Sequence, residues 1–113
     1  MAIKEELYDQ AIELQQKGQL DEAVKRLEEI VRQWPDYALA YAALSVFYSR
    51  QERHAEAVAC AEKVCELEPE DPFSFVALSL ICQKAGEIRK AEMALMEARR
   101  AQMEAWQRMQ RGQ

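Results

Sequence analysis

Residues able to do chemistry are scarce in this chain. Its 113 positions include one histidine, three cysteines, three glycines and three prolines. So little glycine and proline excludes a collagen-like or linker-like polypeptide. The single histidine, His54, cannot build a histidine cluster, and neither an H-E-x-x-H motif nor a phosphate-cradling glycine loop occurs. No serine has a histidine and a carboxylate at a recognisable spacing. Cys60, Cys65 and Cys82 are odd in number and lack C-x-x-C spacing, so free thiols are expected rather than a disulfide or a metal site. The acidic pairs Glu5–Glu6 and Glu28–Glu29 are adjacent, diverge around a helix, and read as solvated surface. The expectation is a protein without enzymatic activity, cofactor or metal.

Long apolar runs are missing as well. None approaches the ~18 residues of a membrane span, and no signal-peptide pattern opens the chain. Glu5 and Glu6 directly follow Lys4 and argue against a transit peptide. A cytoplasmic protein with no membrane partner is expected. The net charge of −5 is uneven: residues 1–37 carry five basic and nine acidic side chains, residues 38–71 three and seven, and residues 72–113 seven and four. Arg99, Arg100, Arg108 and Arg111 make the end of the chain mildly basic. Glu87, Glu92, Glu97 and Glu104 dilute it too far to form a nucleic-acid arm, and no nucleic-acid partner is expected.

What the chain does have is a repeat of 34 residues. Leu7, Tyr41 and Phe75 fall in register, as do Ala11, Ser45 and Ser79; Leu14, Tyr48 and Cys82; Ala23, Ala57 and Ala91; Leu27, Ala61 and Leu95; and Pro35 with Pro69. Val and Ile are sparse while Ala, Glu, Gln and Leu abound, which favours helix. The pattern predicts helix pairs at about 4–17 and 21–33, 38–51 and 55–68, and 73–85 and 89 onward. Gly18 and Gly86 provide left-handed caps, and Pro35 and Pro69 stop the second helices. Asp71-Pro72 opens the third pair with a capping acid and a proline preset for the first turn. His54, in register with Leu20 and Ile88, is placed in the turn of the second pair.

These residues resemble the tetratricopeptide repeat family, whose pattern sets a large residue, Leu, a small residue and an aromatic on the first helix, then Ala, an aromatic, Ala and Pro on the second. Tyr41-x-x-Leu44-Ser45-x-x-Tyr48 followed by Ala57, Ala61, Val64 and Pro69 carries the likeness best. The implied fold is all-α, a solenoid of three antiparallel hairpins at about 4–37, 38–71 and 72–105, with a helical extension over 106–113. No hairpin buries its apolar face alone, so neighbours must stack.

The resemblance also implies a concave groove lined by the first helix of each repeat. On this chain that face holds Tyr8 and Ile12, then Leu39, Ala42, Ala43 and Val46, then Phe73, Val76, Ala77 and Leu80. Between Leu39 and Phe47 only Ser45 is polar, and a helix so apolar expects cover on every side. The expected ligand is an apolar helix or extended segment of another protein. A second copy covering the groove, or filling by the groove's own side chains, stays open. Members that grip the free carboxylate of heat-shock chaperones use Lys, Asn and Arg on this face; Tyr8, Ile12, Ala43, Phe73 and Ala77 lack those charges. The small three-repeat chaperones of bacterial secretion systems are more similar, since their groove is also apolar.

The end of the array reads differently. Met103 stands where a third proline would fall, so the last helix is expected to continue to about Gln110, roughly 33 Å at 1.5 Å per residue. Trp106 and Met109 are expected to extend the stripe of Ala91, Leu95 and Ala98 into a projecting tail. The face that would receive a fourth repeat carries Val24 with Val31, and Val58 with Cys65, in the first two repeats. In the third it carries Glu92 and Arg99, the polar substitution that ends a solenoid. Met96, Met103, Trp106 and Met109 then belong either to a capping helix or to a self-association surface. The functional expectation is an adaptor that binds an apolar segment. A homo-oligomeric assembly protein and a small chaperone of a secreted or assembled substrate are the alternatives.

Overall fold

Six helices account for most of residues 3–112, the part of the chain described by the computed structural model. They are α1 (Lys4–Gln16), α2 (Leu20–Gln33), α3 (Ala38–Arg50), α4 (His54–Leu67), α5 (Pro72–Lys84) and α6 (Ile88–Arg111). The short turns α1–α2, α3–α4 and α5–α6 force antiparallel hairpins. Between hairpins, α2 packs on α3 and α4 on α5. The result is an all-α solenoid measuring 43 × 36 × 22 Å. Gln113, last in the expected C-terminal extension, lies outside the described residues. Among the described residues no helix is long and apolar enough to cross a membrane.

The three hairpin turns are built alike. At the end of α1 the Gly18 amide donates to the Gln15 carbonyl and the Gln19 amide to that of Leu14. The same two bonds recur as Glu52 to Ser49 and Arg53 to Tyr48, and as Gly86 to Gln83 and Glu87 to Cys82. This double closure needs a left-handed residue just past the helix. Gly18 and Gly86 adopt it at φ 84° and 79°, while the second repeat places a glutamate there, Glu52 at φ 62°. His54, expected within a turn, is instead the first residue of α4, as Leu20 and Ile88 are of α2 and α6. Asp71 caps α5 by accepting from the Phe73 amide at 3.0 Å, with Pro72 in the first turn.

Small residues set how closely the helices approach. Ala11, Ser45 and Ser79 on the first helices, and Ala23, Ala57 and Ala91 on the second, are all buried. Leu27 and Leu44 fill the space that these leave. Burying one such leucine contributes about 2 kcal/mol. Cys65 donates from its thiol to the Ser74 carbonyl at 3.3 Å and ties α4 to α5. Burial, and then nearby carboxylates, push the Cys60 and Cys65 thiols up to about 11. All three cysteines are free.

Polar links join the first two repeats. Glu28, read as solvated surface from its sequence neighbourhood, is half-buried and accepts a hydrogen bond from the Tyr48 hydroxyl. Arg53 lies 4.4 Å from the Tyr48 ring centroid and 3.9 Å from Glu28. Burial and then the bond to Glu28 raise the Tyr48 hydroxyl well above the usual phenol range. Gln51 Nε2 donates to Asp21 Oδ1 at 2.8 Å beside them.

The last helix packs differently from α2 and α4. Its buried stripe is Ala91, Ala94, Ala98 and Ala101, a three-four alternation against α5. Leu95, in register with the fully buried Leu27, is 38% exposed. Trp106 and Met109, beyond the last buried alanine, are both exposed, in line with a tail that projects past the hairpin. Leu27 is covered by α3 of the next hairpin, whereas among the described residues α6 packs on α5 and no helix stacks on Leu95 from the other side.

Candidate interaction groove

The 34-residue register brings one face of each first helix to the inner side of the solenoid. Glu5, Leu39 and Phe73 are equivalent; so are Tyr8, Ala42 and Val76, then Asp9, Ala43 and Ala77, then Ile12, Val46 and Leu80. Residues three, four and seven apart share a helix face, so each set forms a continuous strip. The two halves of this inner surface differ.

Between α1 and α3 it is filled. Tyr8, Ile12 and Ala43 pack against the buried core together with Tyr37, which precedes α3. The Tyr8 and Tyr37 rings meet edge-on with centroids 6.1 Å apart, and the Lys4 ammonium sits 4.8 Å from the Tyr37 centroid. Burial raises the hydroxyls of both tyrosines, and nearby carboxylates add to it, Asp9 for Tyr8 and Glu5 foremost for Tyr37. Tyr8 and Ile12, expected to edge an exposed patch, are half-buried instead.

Between α3 and α5 it is open. A cavity of about 250 Å³ runs between them, walled by Ala42, Ser45, Val46 and Ser49 on α3 and by Ser74, Ala77, Leu80, Ile81 and Lys84 on α5. Ala61 and Val64 of α4 complete its lining. Val46 is 49% and Leu80 55% exposed. Leu39, Phe73 and Val76 are exposed too and extend the apolar surface along the same helices. Two lining serines turn their hydroxyls inward: Ser45 donates to the Ala42 carbonyl at 2.7 Å and Ser74 to Asp71. Their walls therefore present carbon. Lys84 is the one charged side chain of the lining, and among the described residues no carboxylate lies within 4.0 Å of its ammonium.

Helix-face arithmetic on the first helices did not identify Ala61, Val64, Ile81 or Lys84. A signal for the cavity was nonetheless present. Where the first repeat has Tyr8 and Leu27, the second has Ala42 and Ala61 at the same positions, and both exchanges remove volume.

Nothing in the groove suggests catalysis. It contains no histidine, cysteine or carboxylate. Among the described residues no group of three or more His, Cys, Asp or Glu side chains could hold a metal ion. The arrangement can desolvate an apolar segment and offer it one cation at the edge.

Residues 8–72 match the tetratricopeptide repeat family. The mouse (Mus musculus) protein O-mannosyl-transferase TMTC1 is 34% identical over 76 residues, which is 67% of this chain and 8% of that protein. Among solved structures, a crystal structure of MamA superposes over 92% of this chain and 61% of its own length with a TM-score of 0.81 at 18% identity. The Yersinia enterocolitica type III secretion translocator chaperone SycD superposes over 87% of this chain and 74% of its own, with a TM-score of 0.76 at 18% identity. The chain thus spans a small fraction of the curated relative and about three-fifths of the MamA structure.

Proposed function

The chain belongs to the tetratricopeptide repeat family, and from that premise we propose that it is a protein–protein interaction scaffold whose α3–α5 groove binds an apolar segment of another protein. One observation carries the reading: Val46 and Leu80 stand half-exposed on either side of an apolar cavity while the equivalent Ile12 is half-buried against the core. An exposed contiguous apolar surface on such a protein marks an interaction site. The cavity suits apolar anchors at the i, i+3 or i+4, and i+7 positions of an amphipathic helix, or alternate side chains of an extended strand. Lys84 favours a ligand with a carboxylate beyond its last anchor. The chaperone among the fold relatives makes a substrate-holding role the nearest variant of this reading.

The test begins with peptide selection from a random library on the immobilised protein, followed by fluorescence polarisation with the selected sequences. Binders should carry regularly spaced apolar anchors. The double variant Val46→Asp/Leu80→Asp should lose at least tenfold in affinity, about 1.4 kcal/mol, with an unchanged circular dichroism spectrum. Undiminished binding by that folded variant would refute the groove as the site.

A further inference from the structure

We propose that the outer face of α6 is the contact between two copies of this chain, related by a two-fold axis that passes between Leu95 and Met96. This goes beyond the groove reading and does not depend on it. In α2 and α4 the corresponding face is covered by the first helix of the next repeat, leaving Leu27 and Ala61 buried. Among the described residues nothing covers it in α6: Leu95 is 38% exposed, and Met96 and Met103 beside it are 66% and 56% exposed. The charges on this face say what covers it.

Glu92 and Arg99 are seven residues apart, two helical turns, and lie on one face. Among the described residues neither has an ion-pair partner within 4.0 Å, although Arg100, one position on, is held by both Glu97 and Glu104. A second α6 laid antiparallel about the Leu95–Met96 midpoint puts each Glu92 opposite the other copy's Arg99. The same register brings Leu95 and Met96 of both copies to the axis and sets each Ile88 level with the other copy's Met103. A self-complementary patch of this kind is what a two-fold interface requires. Opposed charges at its centre fix the register and penalise any other.

Continuation of the solenoid by a second copy is the competing arrangement, and it fits poorly. The helix that would stack on α6 is then α1, whose outer face carries Glu6, Gln10 and Glu13 where α3 has Ala40, Leu44 and Phe47. Polar groups would be buried against Leu95 and Met96 without partners, which is costly.

The test is sedimentation of the intact chain over a wide concentration range, with charge reversals. The wild-type protein should pass from the 13.1 kDa monomer to twice that mass as concentration rises. Glu92→Arg and Arg99→Glu each place like charges opposite one another, and each should weaken dimerisation at least about tenfold. Mixed one to one, the two variants face each other with complementary charges at both sites, and the dimer should return to within about threefold of wild-type affinity. Both positions are exposed, so circular dichroism should be unchanged. A wild-type protein monomeric at every concentration overturns the proposal. So does a mixture that stays dissociated, or a Glu92→Arg variant that still dimerises while Arg99→Glu does not.

Discussion

The two halves of the inner surface share one backbone plan and differ in what they leave uncovered. Between α1 and α3, Tyr8 and Leu27 are large, and Tyr37 from the connecting turn packs edge-on against Tyr8. Between α3 and α5, the same positions hold Ala42 and Ala61, and the counterpart of Tyr37 is Asp71, which caps α5 instead. One half is thereby filled by half-buried side chains and the other holds a cavity of about 250 Å³. The lesson is that a repeat conserves the scaffold through its small residues, while a few volume exchanges at other positions decide where a groove opens.

Leu27→Ala should cost about 3 kcal/mol, because it creates a void in the closed half. Leu95→Ala, at the same register position on α6 and 38% exposed, should cost the monomer no more than about 1 kcal/mol, measured at a protein concentration too low for two copies to pair. Urea denaturation of the two variants measures the contrast directly. Equal losses would mean that exposure at the end of the array has been misjudged.

The reverse change closes the open half. Ala42→Tyr combined with Ala61→Leu copies the first repeat into the second and should fill the cavity. Affinity for a selected apolar peptide should fall at least tenfold, about 1.4 kcal/mol, while thermal stability is kept or raised. Full binding by the filled protein would place recognition elsewhere.

A smaller effect concerns the turns. Glu52 occupies the left-handed position that Gly18 and Gly86 hold in the other repeats, and a residue with a Cβ is disfavoured there by about 1 kcal/mol. Glu52→Gly should therefore stabilise by about 0.5–1 kcal/mol, offset in part by the greater freedom of glycine in the unfolded chain. An unchanged or lower urea midpoint would contradict this.

The most gradual effect is with alkali. Cys60 and Cys65 hold their protons to about 11 in the folded protein, against an ordinary value of 9.0. As pH rises past 9 the unfolded chain loses these protons first, so it binds fewer than the folded chain and stability falls. Their contribution is fully present below about 9 and is lost towards 11. The urea midpoint at pH 10.5 should lie below that at pH 8, and the difference should shrink in a Cys60→Ala/Cys65→Ala variant. A midpoint that rises with pH in this window would reverse the assigned cause.

Most of the fold was legible because its signals are periodic. Small residues at fixed register positions and the glycines at 18 and 86 located every helix boundary to within one residue, even though the second repeat lacks its glycine. What escaped was aperiodic or belonged to the ends. Tyr37 lies in a connecting turn outside any helix-face count, so the closing of Tyr8 and Ile12 could not be read from helical spacing. Leu95 shares the register of the buried Leu27 and Ala61, but register alone does not say whether a following hairpin covers it, and among the described residues none does. Glu28 looked like one of many surface acids until the fold brought Tyr48 and Arg53 to it from the next hairpin. The exposed apolar strip of Leu39, Val46, Phe73, Val76 and Leu80 followed from counting on α3 and α5. The rest of the cavity lining needed α4 in place beneath them.

The most direct test of the open groove is a nuclear magnetic resonance titration of the intact protein with a selected apolar peptide. The largest shift changes should fall on Val46, Ala77, Leu80 and Lys84, with Tyr8 and Ile12 little affected. Changes centred on α1 or α6 at saturating peptide, with the α3–α5 groove unperturbed, would contradict this.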